Sequence, residues 1–221
     1  MTLKRVAIYG GTFDPVHNGH LEVARSVLQL FKLDELWFVP AWAPPHKRSA
    51  NITSAFHRFA MLALATEADQ GLLVSTVELD APDRPYAVDT IARMQALFGK
   101  DCRLFFVMGA DSWLEITTWR DWQRLLTMCD HIVVTRPAFD LGANSDSAVH
   151  VTDVRGQSDE AIRKMADESE TMRVFWTDAV FEYVSATAIR ALARAGEFEK
   201  LKSMVPLQVA AYIEKHGLYR N

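Results

Sequence analysis

Residues 6–20 read Val6-Ala7-Ile8-Tyr9-Gly10-Gly11-Thr12-Phe13-Asp14-Pro15-Val16-His17-Asn18-Gly19-His20, and Leu21, Val23, Ala24, Val27, Leu28 and Phe31 follow at helical spacing. A short apolar run closed by two glycines and followed by a helical period is a strand, a turn and a helix. The alternation continues down the chain. Residues 36–39 predict a strand stopped by Pro40, and residues 56–65 a helix entered through Thr53 or Ser54. Further strands are expected at 72–77, 104–108, 132–135 and 172–176. Helices are expected at 88–98, 119–128, 187–195, 198–204 and 207–216, the last stopped by Gly217. Strands that are apolar throughout and separated by helices belong to a sheet covered on both faces. The fold class is therefore α/β, a doubly wound and mostly parallel sheet. One domain is expected over residues 1–221, with a small C-terminal helical portion at 185–221. From 140 to 171 acidic residues outnumber basic ones and large apolar residues are sparse, so this stretch reads as a surface excursion with one short helix near 160–165.

Composition narrows the class. The chain has 221 residues, 49% of them hydrophobic and 24% charged, which excludes a disordered or collagen-like chain. A chain of this length buries roughly 70–75% of its unfolded surface and needs no disulfide or structural metal to hold a core. Cys102 and Cys129 stand far apart and form no CxxC pair, as in a protein of a reducing compartment. A net charge of −4 supplies no basic field for a long nucleic acid. The most apolar stretch, 104–110, is too short to span a bilayer, and the N-terminal residues lead into a strand instead of a signal peptide. A cytoplasmic protein with no nucleic-acid or membrane partner is expected; self-association stays open.

The turn after the first strand carries the densest chemistry. In an open α/β sheet that turn lies in the ligand crevice. Gly10 and Gly11 would let a ligand approach the backbone, and Gly19-His20 opens a helix whose N–H groups favour an anion. No GxxxxGK[ST] or GxGxxG pattern is present, so neither a P-loop nor a dinucleotide fingerprint explains the turn. His17 and His20 have three readings: polar loop residues satisfied by backbone, zinc ligands together with Asp14, or donors to a phosphoryl group during transfer. Near the other end, Val184-Ser185-Ala186-Thr187-Ala188-Ile189-Arg190 offers a capped helix start with an arginine about one turn on. Alone this is a common surface helix. Beside the first motif, it makes a second helix start able to clamp one polyphosphate.

Together GGTFDPVHNGH and VSATAIR resemble the HxGH nucleotidylyltransferase superfamily, and within it the bacterial nicotinate-nucleotide adenylyltransferases. The likeness spans nearly the whole chain. It includes Pro44-Pro45-His46-Lys47, Gly109-Ala110-Asp111-Ser112, Thr118-Trp119, Arg136-Pro137 and Gly217-Leu218-Tyr219-Arg220. It implies a Rossmann-like nucleotidyltransferase fold and transfer of AMP from ATP to nicotinate mononucleotide. It further implies catalytic roles for His17, His20, Lys47 and Arg190, and an ATP site built from Gly10, Gly11, Thr12, Phe13, His20, Asp111, Ser185, Thr187 and Arg190. Lys47, Thr90, Trp119 and Arg136 would bind the mononucleotide, with backbone amides near Ala87 and Arg120 receiving the nicotinate carboxylate. Taken alone, these residues have plainer readings: Lys47 a solvated loop lysine, Asp111 a turn residue, Arg136 a surface ion pair, and Trp119 with Trp122 a helix-packing pair. Mg²⁺ is expected to arrive with ATP, because no cage of carboxylates is visible. The chain departs from the family where Ala186 replaces a frequent second serine, which removes one hydroxyl from the C-terminal motif.

Other readings compete. A sister transferase with a phosphopantetheine or CTP-dependent substrate would keep the same motifs, although the PPHK loop and Thr118-Trp119 pair argue against it, and a nicotinamide mononucleotide acceptor stays open. A nucleotide-sensing module would bind without turnover. A class I aminoacyl-tRNA synthetase also uses an HxGH element, but this chain lacks its length, basic surface and KMSKS-like loop.

Overall fold

A computed structural model of the chain describes residues 3–42, 52–81, 83, 85–135, 150–168, 172–178 and 184–220. The first half runs β1 (Lys4–Gly11), α1 (Asn18–Leu30), β2 (Glu35–Pro40), α2 (Ala55–Thr66), β3 (Leu72–Val74), α3 (Ala87–Phe98) and β4 (Cys102–Gly109). The second half runs α4 (Ala110–Leu114), a 3₁₀ turn (Ile116–Thr118), α5 (Trp122–Met128), β5 (Asp130–Val134), β6 (His150–Asp153), α6 (Asp159–Asp167) and β7 (Arg173–Thr177). It closes with α7 (Ala186–Ala195), α8 (Phe198–Leu201) and α9 (Leu207–Lys215). The seven strands form one sheet in the order β3-β2-β1-β4-β5-β7-β6. Every pairing is parallel.

Strand alternation explains why both faces are covered. Val6, Ile8, Leu104, Phe106 and Val133 meet α3, α4 and α5 through Val88, Ile91, Met94, Trp113 and Leu125. Ala7, Phe105, Val107, Ile132 and Phe175 point the other way, onto Val27 of α1, Met61 of α2, Ile162 of α6, Ile189 of α7 and Ile213 of α9. The chain moves outward from β1 to β3 and then returns to place β4 on the opposite side of β1. That reversal opens a crevice at the carboxyl ends of β1 and β4, where open α/β sheets bind ligands.

Several expected elements differ. The third strand stops at Val74, because the Ser75 hydroxyl accepts the Val77 N–H at 3.2 Å and turns the chain. Residues 119–121 are not helical: Trp119 is extended and Asp121 is left-handed at φ 53°, so the helix starts only at Trp122. The final turns are also shorter, α8 ending at Leu201. Within the stretch expected as a surface excursion, the short helix expected near 160–165 is α6, and an edge strand and buried residues come in addition. His150–Asp153 is an edge strand paired with β7, and α6 buries Ile162 and Ala166 against the sheet. Arg103 and Arg173 then donate to the carbonyls of Ala166 (2.7 Å) and Met165 (3.3 Å) at the negative end of α6.

His131 on β5 is fully buried, and burial lowers its pKa from 6.5 to about 4. Burial does the same to His17, also to about 4. Between those values the unfolded chain binds protons that the folded chain does not, so this contribution is present above pH 6.5 and lost as pH falls toward 4. Urea midpoints are expected to fall steadily from about pH 7 to about pH 4.5, and less steeply in His131→Leu. Equal pH slopes in the two proteins would contradict this assignment.

Candidate active site

The glycines of the first turn make room for aromatic rings. A Cβ on Gly11 would lie 2.7 Å from Cζ of Phe13, and one on Gly10 would lie 3.2 Å from Phe106. Phe13 itself adopts φ 49°, which folds its ring back under the loop. There the ring packs edge-on against Tyr9 (5.4 Å), Phe38 (5.3 Å) and His20 (5.0 Å). The Phe13 ring is thus buried core beneath the histidines, which leaves its backbone as the part that could meet a ligand.

His17 and His20 stack with ring centroids 3.6 Å apart. The His17 N–H donates to Nδ1 of His20 at 3.3 Å, so in neutral His20 the proton sits on Nε2. Burial lowers both pKa values, and each ring's charge would further oppose protonation of its neighbour, as the effect of His17 on His20 shows. Both are neutral near pH 7 and act as single N–H donors. The expected open amides of α1 are mostly committed, since Asn18 N–H donates to Met204 O (2.9 Å) and His20 N–H to His17 O (2.9 Å). At this helix start the imidazoles supply the donors. Asp14 does not join them as a third ligand, because both its carboxylate oxygens are taken, and no group of three or more His, Cys, Asp or Glu among the described residues is arranged to hold a metal.

The second motif reaches the same place. Ser185 stands at the N-cap of α7 with its hydroxyl free of any capping bond, and Ala186 is the first helical residue. Arg190 Nη1 donates to the carbonyl of Asp14 at 2.7 Å, and Nη2 to the Thr187 hydroxyl at 3.1 Å. The first turn of α7 thus stands beside the loop that carries both histidines. Its leading N–H groups lack partners within the helix, as in any helix start.

Arg58, to which sequence reasoning gave no role, holds this loop together with Asp14 and Tyr219. Arg58, 1% exposed, donates to the carbonyls of Thr12 (2.7 Å), Thr53 (2.9 Å), Ala41 (2.6 Å) and Trp42 (3.2 Å). Burial lowers its pKa, opposed by the negative charge of Asp14 and Glu78. Asp14 accepts the Thr53 N–H on Oδ2 (3.2 Å) and the Tyr219 hydroxyl on Oδ1 (2.7 Å). A signal for Arg58 existed: it falls on the buried stripe of α2 with Met61, Leu62 and Ala65.

On the other side of the crevice, Trp119 lies edge-on to Phe106 at 6.4 Å, and the Arg120 guanidinium covers the Tyr86 ring at 4.7 Å. These contacts bring residues 119–120 to the start of α3, where Ala87 is the first helical residue. Thr90 is 3% exposed and donates to Glu78 Oε1 at 2.7 Å, so its hydroxyl is turned to that carboxylate and away from open solvent. Glu78 also accepts the Trp42 N–H at 3.1 Å, and burial raises its pKa. Asp111 sits exposed in the first turn of α4, just beyond β4 and beside the end of β1. Lys47, His46 and Arg136 lie outside the described residues.

A crevice with two neutral imidazoles, an arginine and a free helix start is built to hold phosphates. The chain matches the cytidylyltransferase-like family over residues 8–192. It is 37% identical to a probable nicotinate-nucleotide adenylyltransferase of Thermoanaerobacter, covering 98% of this chain and 94% of that protein. The chain belongs to this family. Another member, from Pseudomonas fluorescens, is 36% identical over 98% of both chains. The family fold is seen again in the nicotinic acid mononucleotide adenylyltransferase of Plasmodium falciparum, solved with NaAD, at TM-score 0.72 and 18% identity, covering 98% of this chain and 97% of that one. Among the described residues no helix is long and apolar enough to cross a membrane.

Replacing Arg58 with Met leaves buried carbonyls unpaired and is expected to cost about 3–5 kcal/mol of stability, read from urea unfolding. Loss of under about 1 kcal/mol would show that the loop does not depend on this side chain.

Proposed function

We propose that this chain transfers the adenylyl group of ATP to nicotinate mononucleotide, giving nicotinate adenine dinucleotide and pyrophosphate, a step of NAD biosynthesis. The observation that carries the reading is the Arg190–Asp14 hydrogen bond, which joins the start of α7 to the histidine loop. The kinship with nicotinate-nucleotide adenylyltransferases at 36–37% identity supports the same acceptor.

An oxygen of the mononucleotide 5′-phosphate attacks the α-phosphorus of ATP in line. The new P–O bond forms as the bond to the bridging oxygen breaks, and pyrophosphate leaves with the electron pair. The attacking phosphate is already anionic, so no protein base or nucleophile is required. Catalysis rests on positioning and on donors aimed at growing charge. His17 and His20 serve as neutral N–H donors to the phosphates, with Arg190, the first amides of α7, Ser185 and Thr187 on the facing side. Lys47 adds a mobile point charge. Gly10, Gly11 and Thr12 shape the floor through their backbone, and Asp111 receives ribose hydroxyls. Trp119 stacks on the pyridine, amides near Ala87 and Arg120 take its carboxylate, and Arg136 contacts the nucleotide phosphate. Thr90 fixes the wall of this pocket through Glu78.

Mg²⁺ would travel with ATP, where it would screen phosphate charge, since no group of three or more His, Cys, Asp or Glu among the described residues is arranged to hold it. The cytoplasm is the proposed compartment, in keeping with the free Cys102 and Cys129.

The deciding experiment is pyrophosphate release from ATP with nicotinate or nicotinamide mononucleotide as acceptor. Faster release with the acid supports the reading, and release with neither overturns it. His20→Ala is expected to lower kcat by about 10²–10³ with the fold intact; near wild-type turnover would remove His20 from the catalytic set. Trp119→Ala should raise KM for the mononucleotide and leave KM for ATP nearly unchanged, whereas equal effects on both would indicate a packing role.

A further inference from the structure

The end of α9 is built to send one phenol back into the histidine loop. Gly217, at φ 58°, donates its N–H to Glu214 O (3.2 Å), and Leu218 N–H donates to Ile213 O (3.0 Å), which closes the helix and reverses the chain. Tyr219 follows with φ 66°, a conformation that an aromatic residue seldom adopts. Its hydroxyl lands on Asp14 Oδ1 at 2.7 Å. Asp14 is 6% exposed, and its remaining oxygens hold Thr53 N–H and Arg190 Nη1.

We infer that Tyr219 is a positioning residue for the nucleotide side of the reaction, acting through Asp14 on the loop 12–17 and on Arg190. The inference rests on the proposed ATP site. Asp14 carries a buried carboxylate whose two oxygens need separate donors. With the phenol in place, Oδ1 is satisfied, and only the main-chain carbonyl of Asp14 is offered to Arg190. Without it, Oδ1 loses its donor inside a loop that Arg58 and Arg190 bind through main-chain carbonyls. The carboxylate then competes with phosphate for Arg190 and draws the loop out of register. Burial keeps the Tyr219 hydroxyl protonated well above the usual tyrosine range, so it remains a donor at any working pH.

Tyr219→Phe removes one oxygen and keeps the ring. In the full chain, with pyrophosphate release followed against each substrate in turn, kcat/KM for ATP is expected to fall about tenfold. KM for the mononucleotide should stay within about twofold, and the thermal midpoint within a few degrees. A tail that merely packs would lower the midpoint and leave both kinetic profiles alone, and unchanged ATP kinetics or equal effects on both substrates overturn the inference. Tyr219→Phe made on Asp14→Asn should add little further loss, because the two act through one bond; full additivity overturns it. ATP binding measured by calorimetry reads the same effect without turnover. If wild-type protein releases no pyrophosphate but binds ATP more tightly than Tyr219→Phe, the proposed reaction fails while the inference stands; equal binding sinks the inference alone.

Discussion

A guanidinium with 1% exposure is an expensive thing to bury, and Arg58 is tolerated because main-chain carbonyls from separate segments surround it. Thr12 follows β1, Ala41 and Trp42 follow β2, and Thr53 precedes α2. Each segment has a carbonyl that the sheet or helix leaves unused, and one planar fork satisfies all of them. The ends of two parallel strands and the start of a helix are thereby fixed as a single body. Lysine, with one compact ammonium, could not span that set. The histidine loop is anchored to this body at Thr12 and, through Asp14, at Thr53.

The donors facing the crevice are of two kinds. On the α1 side they are imidazoles, because the amides there are taken by Met204 and by the first helical turn. On the α7 side they are amides and a guanidinium. Two stacked rings in a buried setting cannot both carry charge, so burial keeps them neutral, and the crevice draws positive character from Arg190 and from the helix dipole. Such a site presents directional donors without strong standing repulsion between them.

Much of the architecture was legible in the letters, for identifiable reasons. Residues 6–9, 36–39 and 104–108 are unbroken apolar runs because the sheet is covered on both faces, and their helices carry clear periodicity. What escaped was decided by contacts remote in sequence. His150–Asp153 is a short segment in an acidic, polar stretch, and its place as an edge strand is set by its pairing with Arg173–Thr177. Trp119 reads as helical with Trp122 until Asp121 takes a left-handed turn between them. At the site, His17, His20, Ser185 and Arg190 announce themselves by spacing, and Arg190 bonds to the loop that carries both histidines. The burial of the Phe13 ring was not legible, since its letter cannot show that the missing Cβ of Gly11 leaves room for it. Arg58 and Tyr219 were hidden because their partners are backbone carbonyls and a carboxylate 205 positions away.

That separation has a bearing on how the protein is born. On a ribosome, β1 and α1 emerge early and can begin to dock, yet the phenol that completes Asp14 is among the later groups to clear the exit tunnel. Until Tyr219 emerges, the nascent polypeptide carries its histidine loop with one carboxylate oxygen unclaimed, so nucleotide affinity should mature only after that phenol has threaded into place.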